Sequence, residues 1–277
     1  AAPRVRSSAL TILEVGGAFP HRFQELIEFI GLTTLVVTDL DSVEVREDAA
    51  AVAGADAGDV EEEDELRPFE VEEDGEGDGG KVKAKKRGST CHAHFPNAVS
   101  ANQTLNSWLP KKRSIDELWA VPDEGKALAL ANATDAHVRV AYQTPILVTV
   151  EGKAMMRCGR TLEEAFGLEN AQWCQAAANR AVGLKLHKAV STPEELALGL
   201  HKRVISRSFD KTRFALEVLA SGPLNQWKVP TYISEGLVWL EERVAHEQEA
   251  EVAVVAGAAA IGPAGGGAIP VVGGATQ

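Results

Sequence analysis

The sequence predicts an α/β fold: a mainly parallel sheet flanked by helices, followed by a helical C-terminal part. Three observations carry this. Short apolar runs rich in β-branched residues alternate with a helical pattern in the first 45 residues. Two more such runs fall between residues 138 and 150. Beyond them the patterns are mainly helical up to about residue 249.

Thr11-Ile12-Leu13-Glu14-Val15, ended by Gly16-Gly17, reads as a buried strand and a turn. In the next segment Phe23, Leu26, Ile27 and Ile30 recur at helical spacing, and Gly31 supplies a stop. Thr33-Thr34-Leu35-Val36-Val37-Thr38 is continuously apolar at its centre, as strands buried on both faces are. Strand, helix and strand within about 30 residues make a βαβ unit with a right-handed crossover. Asn102 to Trp108 reads as a short helix, and Ser114 to Ala120 as another, with Ser114 and Glu117 in capping-box spacing. Val138 to Tyr142 is the third strand and Ile146 to Val150 the fourth. Helices are expected at Thr161 to Phe166, Pro193 to Ser206, Lys211 to Leu219, and Pro230 to about Glu249.

The 277 residues carry a formal net charge of -12, and one segment accounts for it. Residues 44 to 78 hold 16 acidic side chains against Arg46 and Arg67; the rest of the chain has 26 basic and 24 acidic groups, a net of +2. Taken whole, the charge argues against a nucleic-acid partner; taken by segment, it leaves a near-neutral body. So little apolar content cannot offset ordering entropy, so 44 to 88 is expected to be a solvated, disordered insertion. Val252 to Ala275 is mostly Ala and Gly and is broken by Pro263 and Pro270. A membrane helix needs about 20 strongly apolar residues, so a disordered tail and no membrane association are expected. Three scattered cysteines suit a reducing cytoplasm better than a disulfide scaffold. The start at Ala-Ala-Pro-Arg lacks a signal-peptide pattern and reads as internal.

Asp39 and Asp41 are the sharpest chemical feature. Ligands of open parallel sheets bind outside the carboxyl ends of the strands, and two carboxylates one residue apart there can both reach a hard cation such as Mg²⁺. The bland alternative is a turn with an Asp helix cap. The spelling Val36-Val37-Thr38-Asp39-Leu40-Asp41-Ser42-Val43 resembles two families. In haloacid-dehalogenase-like phosphatases Asp39 would be a phosphoryl acceptor and Asp41 an acid/base, but no later acidic pair at a strand end completes that pattern. In Toprim domains a D-x-D works with a Glu from elsewhere to hold Mg²⁺ against a phosphodiester.

The wider sequence favours the second. Ile12-Leu13-Glu14-Val15-Gly16-Gly17, Thr38-Asp39-Leu40-Asp41-Ser42, Asn102-Gln103-Thr104-Leu105, Val140-Ala141-Tyr142-Gln143, Gly159-Arg160-Thr161-Leu162-Glu163-Glu164 and Asp210-Lys211-Thr212-Arg213 resemble, in that order, the C-terminal Toprim half of OLD-family (overcoming lysogenization defect) endonucleases. The resemblance covers roughly residues 10 to 245. It implies a Toprim-like α/β domain over 1–43 and 89–168, the 44–88 insertion, a helical subdomain over 169–249 and the tail at 250–277. It implies a metal-dependent DNA endonuclease, with Mg²⁺ or Mn²⁺ as cofactor, two ions in a complete site, and DNA as partner. It also admits a homo-oligomer. On it, Asp39 and Asp41 fall on the metal-binding D-x-D, and Glu163 on a further metal ligand, with Glu164 one position on as its alternate. Lys211 falls on a lysine beside the scissile phosphate. Without it, Glu163 and Glu164 are ordinary first-turn acids and Lys211 a surface lysine.

Two departures stand against a complete enzyme. The family's first strand, ending in Val-Glu-Gly, has no counterpart and is expected upstream of Ala1. No G-x-x-x-x-G-K-[ST] loop is present, so an ATPase half is expected upstream or on a separate chain. A degenerate Toprim module that binds DNA or a protein without cutting is therefore the alternative. Cys91-His92-Ala93-His94 admits a zinc reading but lacks a fourth ligand. Trp119, Trp173 and Trp239 read as core, and Cys158 and Cys174 as small buried residues. Arg157 with Arg160, and His201-Lys202-Arg203, could meet phosphates or simply face solvent.

Overall fold

The computed structural model describes residues 10–16, 19–45, 89–131, 136–222 and 226–260, with side chains of the last helix described to His246. It is mixed α/β, with small mixed sheets and helices. Helix α1 (Gln24–Ile30) follows a 3-10 turn at Pro20–Phe23 and ends on Gly31, whose φ of 66° is the left-handed cap glycine supplies without strain. Strand β1 (Thr34–Val37) leads into the Asp39 turn, and β2 (Ser42–Val43) pairs antiparallel with β3 (Val99–Ser100). A π-helical turn (Thr104–Trp108), helix α2 (Ile115–Trp119) and strand β4 (Ala127–Ala129) follow. Strand β5 (His137–Ala141) is the centre of the main sheet, parallel to β1 and antiparallel to β4. β6 (Ile146–Val150) and β7 (Lys153–Arg157) form a hairpin. Helices α3 (Leu162–Glu169), α4 (Ala171–Gln175), α5 (Pro193–Val204), α6 (Lys211–Ala220) and α7 (Thr231–Ala260) complete the chain.

β5 is buried on both faces, and successive side chains point to opposite sides of the sheet. Val138 and Val140 point into a core with Leu40, Leu105, Ile115 and Leu118. Ala141 points the other way, toward Tyr232 of α7. There α7 lies directly on β1 and β5: a Cβ on Gly236 would stand 3.0 Å from Leu35 and 3.2 Å from Ala141. A second core gathers Val148 of the hairpin, Phe166 and Leu168 of α3, Leu196 and Leu200 of α5, and Phe214 of α6. The hairpin and α3 are thus packed with the C-terminal helices.

Four expectations change. Thr11–Val15 form no strand; Ile12 is 85% and Leu13 64% exposed. An apolar run becomes a strand only when its backbone finds a ladder partner, and among the described residues β1 pairs with β5 alone. The parallel pair therefore joins β1 to a strand 100 residues later, and the sheets are mixed rather than mainly parallel. The capping box at Ser114 does not form: Ser114 bridges to Val99, and Glu117 pairs with Lys112 at 3.2 Å. Helix α7 continues to Ala260, so the expected tail at 250–277 begins as helix. Residues 46–88, which hold nearly all of the acidic insertion, and 261–277 lie outside the described residues. Among those described, no helix is long and apolar enough to cross a membrane. Trp239, Cys158 and Cys174 are buried as expected.

Candidate functional site

The parallel register places the site. Val37 is level with Ala141, so two residues further on Asp39 comes level with Gln143. Gln143 donates from Nε2 to Asp39 Oδ1, and its Oε1 accepts from the Leu40 N–H at 2.8 Å. One amide thereby fixes both the carboxylate and the backbone that carries it. Tyr232 of α7 adds a contact, its hydroxyl accepting from Gln143 Nε2 at 3.3 Å. From the other side buried Asn102 donates to Thr38 Oγ1 at 2.7 Å and to the Asp39 carbonyl at 2.8 Å. Asp41 then takes a φ of 49°, a left-handed conformation that Asp tolerates better than most residues. Ser100 Oγ donates to the Leu40 carbonyl at 2.7 Å, closing the turn.

Glu163 and Glu164 lie in the first turn of α3, where the helix dipole favours carboxylates, and both are buried. Glu163 accepts from Thr161 Oγ1 at 2.6 Å and lies 3.6 Å from Lys211 Nζ, at the first residue of α6. Lys211 is held there because Asp210 caps α6, accepting from the Arg213 N–H at 2.9 Å. Glu164 is already occupied: Oε2 accepts from the Arg160 N–H at 2.9 Å, and Oε1 lies 2.9 Å from His201 Nδ1. It lines a cleft of about 260 Å³ with His92, His94, Arg157 and Glu194, a cleft that neither aspartate lines. Glu163 acts electrostatically on both aspartates and Glu164 on Asp41.

Electrostatics tie the four elements together. Burial pushes the Asp39 carboxyl up to about 7, and the negative charges of Asp41 and Glu163 push the same way, against the Gln143 hydrogen bond and the Lys211 charge. Asp41 is raised too, because burial outweighs the attraction of Arg160, 3.3 Å away, and of Lys211. Carboxylates from the β1 turn and the α3 N-terminus thus crowd each other in a desolvated place.

The donor set fits a hard divalent cation chemically: oxygen ligands whose mutual repulsion a cation would relieve. Convergence is incomplete. Among the described residues no group of three or more His, Cys, Asp or Glu side chains is drawn together closely enough to hold a metal ion. Asp41 leans on Arg160 and Glu163 on Lys211, so each oxygen is drawn toward an internal cation rather than a shared centre. The zinc reading at Cys91, His92 and His94 gains nothing. His94 stacks on Trp119 at 4.7 Å and His92 lies against His201 at 6.1 Å, while burial pushes His94 down to about 4.

Gln143, Asn102 and Tyr232 join the site although their residue types do not themselves point to metal chemistry. A signal for Gln143 existed: it directly follows a buried β run, as Asp39 nearly does, and sliding one run against the other aligns the two. Comparison of the chain with protein-family models, with curated proteins and with solved structures found no match.

Proposed function

We propose that this chain is the Toprim-like module of a metal-dependent DNA endonuclease of the OLD kind, without its ATPase half. The observation that carries the reading is the meeting of Asp39, Asp41, Glu163 and Lys211. They come from three separate parts of the chain and share one electrostatic neighbourhood at the carboxyl end of β1. Asp39, Asp41 and Glu163 would hold the cation, Mg²⁺ or Mn²⁺. A divalent ion held by these carboxylates would supply Lewis-acid polarisation of a phosphoryl oxygen and a lowered pKa for water. Gln143 and Asn102 keep the aspartates oriented before any ligand arrives. Lys211 adds positive charge where it grows negative on the phosphoryl group in the transition state.

A second reading has its own observation. Asp41 and Glu163 are each matched by an internal cation, which is what a module that binds DNA or a partner without cutting would need. Nicking of supercoiled plasmid with Mg²⁺ or Mn²⁺ separates the two. The nuclease reading expects nicking by the wild type that Asp41→Ala abolishes; equal activity in both chains removes the catalytic assignment, and activity in neither supports the binding module. Release of phosphate from p-nitrophenyl phosphate, lost in Asp39→Asn, would instead support the haloacid-dehalogenase-like alternative.

A further inference from the structure

Arg160 joins the acidic groups of the site. Its Nη2 pairs with Asp41 Oδ1 at 3.3 Å, and its Nε donates to the Ser42 carbonyl at 3.0 Å. Its main-chain N–H donates to Glu164 Oε2 at 2.9 Å, and its carbonyl accepts from the Asp41 N–H at 3.4 Å. All but the first of these would survive if Nη2 left Asp41, so the guanidinium is anchored at one end and carries a carboxylate at the other. Its side chain is 15% exposed.

The Asp41 ion pair is replaceable. A divalent ion ligated at about 2.1 Å attracts a carboxylate roughly three times as strongly as a single charge at 3.3 Å. A guanidinium freed from a carboxylate is also well shaped for phosphate, whose oxygens match its fork.

We propose that Arg160 is the resident counter-ion of Asp41, which yields that carboxylate to the divalent cation and, pivoting on its Nε–Ser42 bond, turns the freed Nη2 to the phosphodiester. This deepens the nuclease reading and rests on it. Arg160 thereby links cation loading to substrate engagement.

Mn²⁺ binding by electron paramagnetic resonance and plasmid nicking, on the full chain, test it. In Arg160→Gln, Mn²⁺ should bind on the order of tenfold more tightly, as expected when the charge that competes for Asp41 is lost. Nicking at saturating Mn²⁺ should nevertheless fall roughly tenfold or more. Arg160→Lys keeps a charge beside Asp41, so its Mn²⁺ affinity should stay within about twofold of wild type while nicking is not restored. A merely structural arginine predicts weaker Mn²⁺ binding in Arg160→Gln; that result, or no change, overturns the proposal. Tighter Mn²⁺ with undiminished nicking overturns the contact with phosphate. If the wild type binds no Mn²⁺, the nuclease reading falls and this proposal with it. Should Arg160→Gln fail to fold, side-chain ¹⁵N spectra of the wild type still decide. Mg²⁺ should move the Arg160 Nη signals and spare Nε, and unmoved Nη signals at saturation overturn it.

Discussion

Asp39 carries the largest electrostatic load among the aspartates of the site, and its consequence for stability has a definite sign. Its carboxyl moves from 3.8 to about 7 on folding, chiefly through burial. Between those values the folded chain holds a proton that the unfolded chain has released, so stability is lost as pH rises from about 4 through 7. Asparagine cannot ionise and keeps the oxygen that accepts from Gln143. Asp39→Asn in EDTA should therefore be more stable than wild type. The gain should grow from near zero at pH 4 to a plateau above pH 7 on the order of 4 kcal/mol. Urea unfolding across that range measures it, and a gain independent of pH would contradict the assignment. At this scale the sequence was readable where residue type alone signals chemistry, as at Asp39 and Asp41. It was not readable where a neutral amide does the orienting, because Gln143 gains its role only from the register of β1 against β5 and Asn102 its role from the pairing of β2 with β3.

At the scale of elements, the site depends on how closely the segment after β7 lies against the first turn of α3. A Cβ added to Gly159 would stand 2.3 Å from the Ala165 N and 2.8 Å from its Cα, both rigid backbone atoms. Gly159→Ala must therefore push α3 away, and with it Glu163 and the Arg160 contact to Asp41. The expected cost is on the order of 3 kcal/mol, a fall in melting temperature of roughly 6–12 °C. Nicking should fall with it even at temperatures where the variant is folded. Thermal denaturation checks the first part, and a melting point within about 1 °C of wild type would contradict it. Local patterns gave α1, β1, β5, α5 and α6 well, since each carries its own periodicity and stop signals. Thr11–Val15 had the composition of a strand but no partner. The hairpin partner β7, Lys-Ala-Met-Met-Arg, lacks β-branched residues and is a strand because β6 supplies its ladder.

At the scale of the molecule there are two main cores: the first lies beneath β1 and β5, and the second packs the β6–β7 hairpin against α3, α5 and α6. Both roots of that hairpin run into the site, Gln143 just before β6 and Arg160 just after β7. The acidic carboxylates are thus fixed by contacts that span nearly the whole described chain, from Thr38 to Tyr232. The concentration of charge in residues 44 to 78 leaves a body near neutrality, which is compatible with a phosphodiester substrate. The proposed function requires that Asp39 and Asp41 bind a divalent cation in this folded body. Titration calorimetry with Mn²⁺, on the full chain and on its Asp39→Asn, Asp41→Asn double variant, tests it most directly. Cation binding at these aspartates gives a saturable heat in the wild type that the folded double variant lacks; indistinguishable titrations of the two chains would overturn it.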